Sequence, residues 1–190
     1  MAKGKRHKSL VLETIPENLL REPIEYIFAD HYRLRQIVAS LDGFLAADNF
    51  AADIDEEVRA DLRVILAYLE DELPLHIADE DEGLFKFLGE RCRGDDETKQ
   101  ILLVLTDEHE EDFGLMPPVT AGLKSLAAGE AVKEPQKFID AAARFVETQR
   151  RHLIWENNIV LPLARRHLTP EDLENMGRQM AARRGLDYPA

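Results

Sequence analysis

The sequence of 190 residues is 45% hydrophobic and 32% charged, which is the composition of one domain with a hydrophobic core. Its single cysteine, Cys92, excludes a disulfide framework within the chain and CxxC-type zinc or redox sites. A formal net charge of -13 argues against nucleic-acid binding. No apolar run approaches the roughly 18 residues of a membrane span, and the amino terminus lacks the apolar core of a secretory signal. We therefore expect a cytoplasmic protein that binds neither membrane nor nucleic acid.

The chain begins with the basic stretch MAKGKRHKS, and we predict a flexible N-terminal arm over residues 1–21. Helical periodicity follows, because apolar residues recur every three or four positions over residues 24–45 and again over residues 58–87. Pro23 suits the first position of the first helix, where its missing N–H costs little. Pro74 falls inside the second stripe and predicts a kink.

A third apolar stripe, over residues 102–116, meets Pro117 and Pro118, which are expected to break or bend the helix. The fourth stripe covers residues 138–163. A short last helix is predicted after Thr169, because the sequence TPED supplies an N-cap hydroxyl and a carboxylate three residues later.

The arrangement of these stripes predicts the fold class. No segment shows the alternation of a strand, and Gly and Pro fall between the stripes. We predict an all-α fold with an up-down-up-down four-helix bundle over residues 22–166. A short C-terminal extra helix and tail would occupy residues 167–190.

Each stripe contains one histidine where a bundle favours Leu or Ile, and two of these histidines are followed by a glutamate four residues later. A spacing of four places both side chains on one helix face. A lone inward histidine is usually a hydrogen-bonded core residue, but four imidazoles and two carboxylates buried without a cation would be costly. The predicted metal ligands are His31, His76, Glu80, His109, His152 and Glu156. In the acidic run at residues 79–82 only Glu80 is in phase with the core, so Asp79, Asp81 and Glu82 are expected on a solvated face.

The chemistry of this ligand set narrows the choice of metal. The set is too large for one tetrahedral zinc and too rich in nitrogen for calcium or magnesium. Shared between two ions, with both carboxylates bridging, it suits iron or manganese better than copper. The Glu-x-x-His motif of ferritin-type bundles is absent, because no histidine here has a glutamate three residues before it.

In order and spacing, these residues resemble the hemerythrin-like family, whose members carry an HHE cation-binding domain. The resemblance covers roughly residues 22–166 and is most specific in the segment HIADEDEGLF at residues 76–85. It implies a non-haem di-iron bundle with an oxo- or hydroxo-bridged iron pair, for which manganese or zinc could substitute. The implied ligands are His31 and His76 on one iron, His109 and His152 on the other, and Glu80 and Glu156 as bridges.

One position departs from the oxygen-carrying hemerythrins, which have a further histidine one turn after the third-helix histidine. This sequence has Phe113 there, and we expect its ring to point at the coordination position that the extra histidine would fill. The match is therefore closer to the bacterial branch of the family, which includes di-iron proteins implicated in the repair of iron centres.

Three functions follow from these ligands. A di-iron protein would bind or react with O2, NO or peroxide, in oxygen or nitrosative stress response, sensing or iron handling. A structural or regulatory site for zinc or iron would supply folding energy without turnover. A bis-histidine haem bundle is the third reading, in which Glu80 and Glu156 would have no role.

Overall fold

The computed structural model describes residues 9–47, 50 and 53–189, and all regular structure in this part of the chain is helical. The predicted all-α fold is confirmed. Four long helices form a bundle, and a fifth packs against the first and second of them. Their segments, in chain order, are α1 (Pro23–Ala46), α2 (Glu56–Ala67), α3 (Leu73–Asp79), α4 (Lys86–Arg91), α5 (Asp96–Ala127), α6 (Pro135–Trp155), α7 (Leu161–His167) and α8 (Pro170–Arg183).

Two of the four bundle helices contain π-helical turns. The second bundle helix consists of α2, α3 and α4, joined by π turns at Tyr68–Glu72 and Glu80–Phe85. The fourth consists of α6 and α7, joined by a π turn at Glu156–Val160. Pro74 and Pro162 each lie one residue after the start of the α segment that follows such a turn, so the irregularity predicted at Pro74 takes the form of a wider turn.

The third bundle helix, α5, continues through Pro117 and Pro118 and is not broken there. Each proline removes a backbone hydrogen bond, but Val119 and Leu123 beyond the pair are fully buried in the bundle core. The Thr120 hydroxyl also donates to the carbonyl oxygen of Met116 at 2.9 Å. Packing on both sides of the prolines therefore outweighs their local cost.

Each bundle helix packs against the helices before and after it, and the fourth also packs against the first. Two apolar clusters fill the interior: one includes Leu34, Ile77 and Leu153, and the other includes Ile27 and Leu84. Along the helices, His31, Glu80, His109 and Glu156 lie between residues of the two clusters, and His76 and His152 lie at the edge of the first cluster. The fold thus creates a polar layer between two apolar layers.

The short helix before the bundle and the final helix after it pack against the second apolar cluster, whereas Leu10 and Leu12 pack against the first. A 3-10 helix at Glu17–Arg21 buries Leu20, so the predicted arm is not free of the bundle along its whole length; residues 1–8 lie outside the described part. The final helix, α8, begins with the predicted capping box of Thr169 and Asp172. None of the helices in the described part of the chain combines the length and apolar character that a bilayer crossing requires.

Candidate metal centre

The six predicted ligands meet at the centre of the bundle, and none is more than 3% exposed. They form two groups in which the candidate ligand atoms lie within 4.8 Å of one another. The first group is His31, His76, Glu80 and Glu156, and the second group is Glu80, His109, His152 and Glu156. Both carboxylates belong to both groups, so cations held by the two groups would share them.

Glu80, from the second bundle helix, contacts imidazoles of three helices. Its Oε1 is 2.9 Å from Nε2 of His31. Its Oε2 is 3.4 Å from Nε2 of His76 and 3.4 Å from Nε2 of His109. The same carboxylate therefore faces ring nitrogens of both groups.

Glu156, from the fourth bundle helix, makes the corresponding contacts from the opposite side. Its Oε2 is 3.3 Å from Nε2 of His31, and its Oε1 is 3.0 Å from Nε2 of His152. Glu80 and Glu156 are each the first residue of a π turn. Because a π turn is wider than an α turn, the glutamate and the residue after it can both face the neighbouring helices.

The Nδ1 atoms of two rings are held by carboxylates that sequence reasoning missed. Nδ1 of His76 is 3.2 Å from Oδ2 of Asp30, and Nδ1 of His152 is 2.9 Å from Oε2 of Glu108. Asp30 lies directly before His31 on the first bundle helix, and Glu108 lies directly before His109 on the third. With Nδ1–H donating to a carboxylate, Nε2 is left free to bind a cation.

The residues that follow the two glutamates hold the other two rings. Nδ1 of His109 lies 3.0 Å from Oδ1 of Asp81, and Nδ1 of His31 lies 3.3 Å from Oδ1 of Asn157. Asp81 was expected on a solvated face, but its side chain is only 28% exposed and contacts His109. A repeat in the sequence could have revealed these partners. An acidic residue directly precedes the first histidine of each hairpin, and an acidic or amide residue directly follows each of the two glutamates.

Asp79 was also expected to be solvated, and this prediction is wrong. Its side chain is 1% exposed, and its two oxygens accept hydrogen bonds from Arg183 at 2.9 Å and from Arg184 at 2.6 Å. Glu82 is exposed, as expected. Asp79 therefore ties α8 to the second bundle helix, which the helical phase of the stripe could not reveal.

The carboxylates around His76 and His109 favour the protonated form of these two imidazoles. Burial by itself would lower the pKa of His76, but the charge of Glu80 and the hydrogen bond to Asp30 raise the pKa to about 10. The hydrogen bond to Asp81 and the nearby Glu80 carboxylate likewise outweigh burial and raise the pKa of His109 to about 9. Burial would raise the pKa of Glu80, but the neighbouring imidazolium groups hold it well below its usual range. A bound cation would displace these protons.

Several buried polar atoms of the site have no hydrogen-bond partner in the described part of the chain and are free to bind a cation. Oε2 of Glu80, both carboxylate oxygens of Glu156 and Nε2 of His152 are buried and make no hydrogen bond with the described residues. Buried polar atoms are normally satisfied, and the residues that carry these atoms all belong to the two groups that could hold a metal ion. The ring centres of His109 and His152 are 4.6 Å apart and those of His31 and His76 are 5.1 Å apart, which leaves no room for a porphyrin between the rings of either pair. The haem alternative therefore does not fit.

Phe113 does not point at the site, contrary to expectation, because its side chain is 52% exposed. The preceding residue, Asp112, faces inward instead and is fully buried. Nε2 of Gln149 donates to Oδ2 of Asp112 at 2.5 Å, and burial raises the pKa of this carboxyl to about 7. Positions three and four residues after His109 both lie near its face of the helix, and in the structure it is position 112 that turns inward.

The fold and the two overlapping groups define a class of protein: a helical bundle with buried histidine and glutamate clusters that could hold metal. The sequence model of the hemerythrin HHE cation binding domain matches residues 22–164. The chain belongs to the hemerythrin HHE cation-binding family. No curated protein sequence matches the chain.

Proposed function

We propose that this chain holds two non-haem iron ions, one in each group, with Glu80 and Glu156 between them. Manganese or zinc would substitute for iron. The observation that carries the proposal is the sharing of both carboxylates by the two groups. Imidazole nitrogen combined with carboxylate oxygen suits iron, and four imidazoles exceed what one tetrahedral zinc would use.

The iron pair would bind or react with O2, NO or peroxide, in oxygen or nitrosative stress response, sensing or iron handling. When bound, the irons supply exchangeable coordination positions, because two imidazoles and two shared carboxylates do not complete the six positions of each ion. The protein's own residues exclude bulk water and hold the Nδ1 protons. They also keep the Nε2 atoms turned towards the carboxylates.

One observation favours a second candidate, a structural or regulatory zinc or iron site without turnover. Every ligand is almost fully buried, and each group draws residues from both helical hairpins. A cation in either group would therefore join the two halves of the bundle and contribute directly to folding.

Reaction with small ligands separates the two candidates. Protein loaded anaerobically with Fe²⁺ is mixed in turn with O2, NO and hydrogen peroxide while its absorption is followed, with zinc-loaded protein as the blank. We expect the iron-loaded protein to develop new near-ultraviolet or visible absorption bands after mixing with at least one of the three ligands. Glu80→Gln should abolish them, whereas Glu82→Gln, at an exposed position in the same turn, should not. Iron-loaded protein whose spectrum responds to none of the three would support the structural role.

A further inference from the structure

The hydrogen bonds that hold the four imidazoles form a repeat between the two hairpins. In each hairpin, the imidazole on the later helix is held by a carboxylate on the earlier helix. Asp30 does this in the first hairpin and Glu108 in the second, and each also pairs with an arginine, Arg33 and Arg151 respectively. These two carboxylates make the same kinds of contact and do not distinguish the groups.

The other two imidazoles have chemically different partners. Asp81 accepts the hydrogen bond from His109 at 3.0 Å, whereas Asn157 accepts that from His31 at 3.3 Å. Both partners occupy the same place in the repeat, directly after a glutamate that begins a π turn. One partner is a carboxylate and the other is a neutral amide.

This difference changes the donor strength of the opposite ring nitrogen. A ring N–H that donates to a carboxylate leaves Nε2 more basic than one that donates to an amide, because the negative charge draws the proton away from the ring. In the second group both partners are carboxylates, at 2.9 and 3.0 Å from Nδ1. In the first group one partner is an amide, and the distances are 3.2 and 3.3 Å.

We infer that the two metal positions are unequal: the second group binds a divalent ion more tightly than the first because Asp81 is a carboxylate and Asn157 is not. This inference rests on the proposed dinuclear site. Asp81 and Asn157 are positioning residues that act through His109 and His31. Loss of such a partner lowers metal affinity by roughly 10–100-fold, which sets the size of the expected difference.

Titration of the metal-free, full-length protein with Co²⁺ tests the inference. Visible absorption reports the affinity of each step, and proton NMR of the imidazole N–H signals shifted by Co²⁺ reports which rings are occupied. We expect two resolved steps, with the ring signals of His109 and His152 shifting at the first equivalent. Asp81→Asn should weaken the tighter step by about 10-fold, and Asn157→Asp should strengthen the weaker step by a similar factor.

Exposed neighbours provide matched controls for these changes in charge. Glu82→Gln and Asn158→Asp are expected to leave both steps unchanged, because both side chains are exposed and neither contacts a ring. The double variant Asp81→Asn with Asn157→Asp should restore two steps with the order of filling reversed. Two equal steps in the unmodified protein, or equal effects of Asp81→Asn and Glu82→Gln, would overturn the inference. Fewer than two Co²⁺ per chain would instead contradict the dinuclear site itself.

Discussion

Asp79 and Glu80 are adjacent and both buried, but their surroundings predict opposite results on substitution. Asp79→Ala leaves Arg183 and Arg184 without their shared carboxylate, so it should lower the free energy of unfolding by roughly 1–3 kcal/mol without changing the bound metal. Glu80→Ala removes a carboxylate common to both groups, so bound metal should be lost. Thermal unfolding and elemental analysis of the same preparations measure both effects.

Glu82→Ala is the control for this pair, since Glu82 is in the same turn but exposed, and it should change neither quantity appreciably. Equal loss of metal from Asp79→Ala and Glu80→Ala would contradict the account, because only the Glu80 side chain faces the site.

The direction of the Phe113 side chain leads to a second prediction. Because this side chain is 52% exposed, Phe113→His should place an imidazole in solvent and leave the absorption spectrum of the iron-loaded protein unchanged. The spectra of the two proteins, recorded before and after oxidation, check this. A new absorption band in the variant would show that position 113 can reach the metal after all.

At the scale of helices, two glycines of α5 give opposite expectations. A Cβ at Gly122 would lie 2.2 Å from Cδ2 of Phe138, so Gly122→Ala should destabilise the protein by about 1–3 kcal/mol. A Cβ at Gly114 would meet nothing within 4 Å, so Gly114→Ala should stabilise the helix by about 0.5–1 kcal/mol. Chemical denaturation of both variants measures the difference. Equal effects would mean that α5 does not pack against α6 at Gly122 as described.

The sequence predicts the helices and the inward histidines because both follow from a local period of 3.6 residues. The residues that hold the imidazoles could not be found in this way. Asp81 contacts His109 across two hairpins, and its direction depends on a π turn for which the apolar pattern gives no signal. Asp79 escaped prediction because its partners lie on α8, about a hundred residues later in the chain.

The same limit applies to the prolines. The local chemistry of Pro117 and Pro118 favours a helix end, and only the burial of residues on both sides explains why α5 continues. Local periodicity therefore predicts which faces are buried, whereas irregular turns and contacts between distant segments require the three-dimensional structure.

The whole molecule should respond to pH through the charged imidazoles of the metal-free site. Their pKa values, about 10 for His76 and about 9 for His109, lie above the ordinary value of 6.5. This contribution to stability is complete below about pH 6.5 and is lost as pH rises through the raised pKa values. The Tm of the metal-free protein should therefore fall between about pH 6.5 and pH 10, and that of the metal-loaded protein should fall less. Thermal unfolding across this range checks the prediction, and a rising Tm of the metal-free protein would contradict it.

In the proposed centre, two metal ions sit between the hairpins and share Glu80 and Glu156. The number of metal ions bound by one chain tests this most directly, measured by elemental analysis after anaerobic loading with Fe²⁺ and removal of the excess. The two overlapping groups predict about two irons per chain, and about the same number of zinc ions when zinc is supplied instead. A value that stays at one, with zinc bound in preference to iron, would contradict the shared pair.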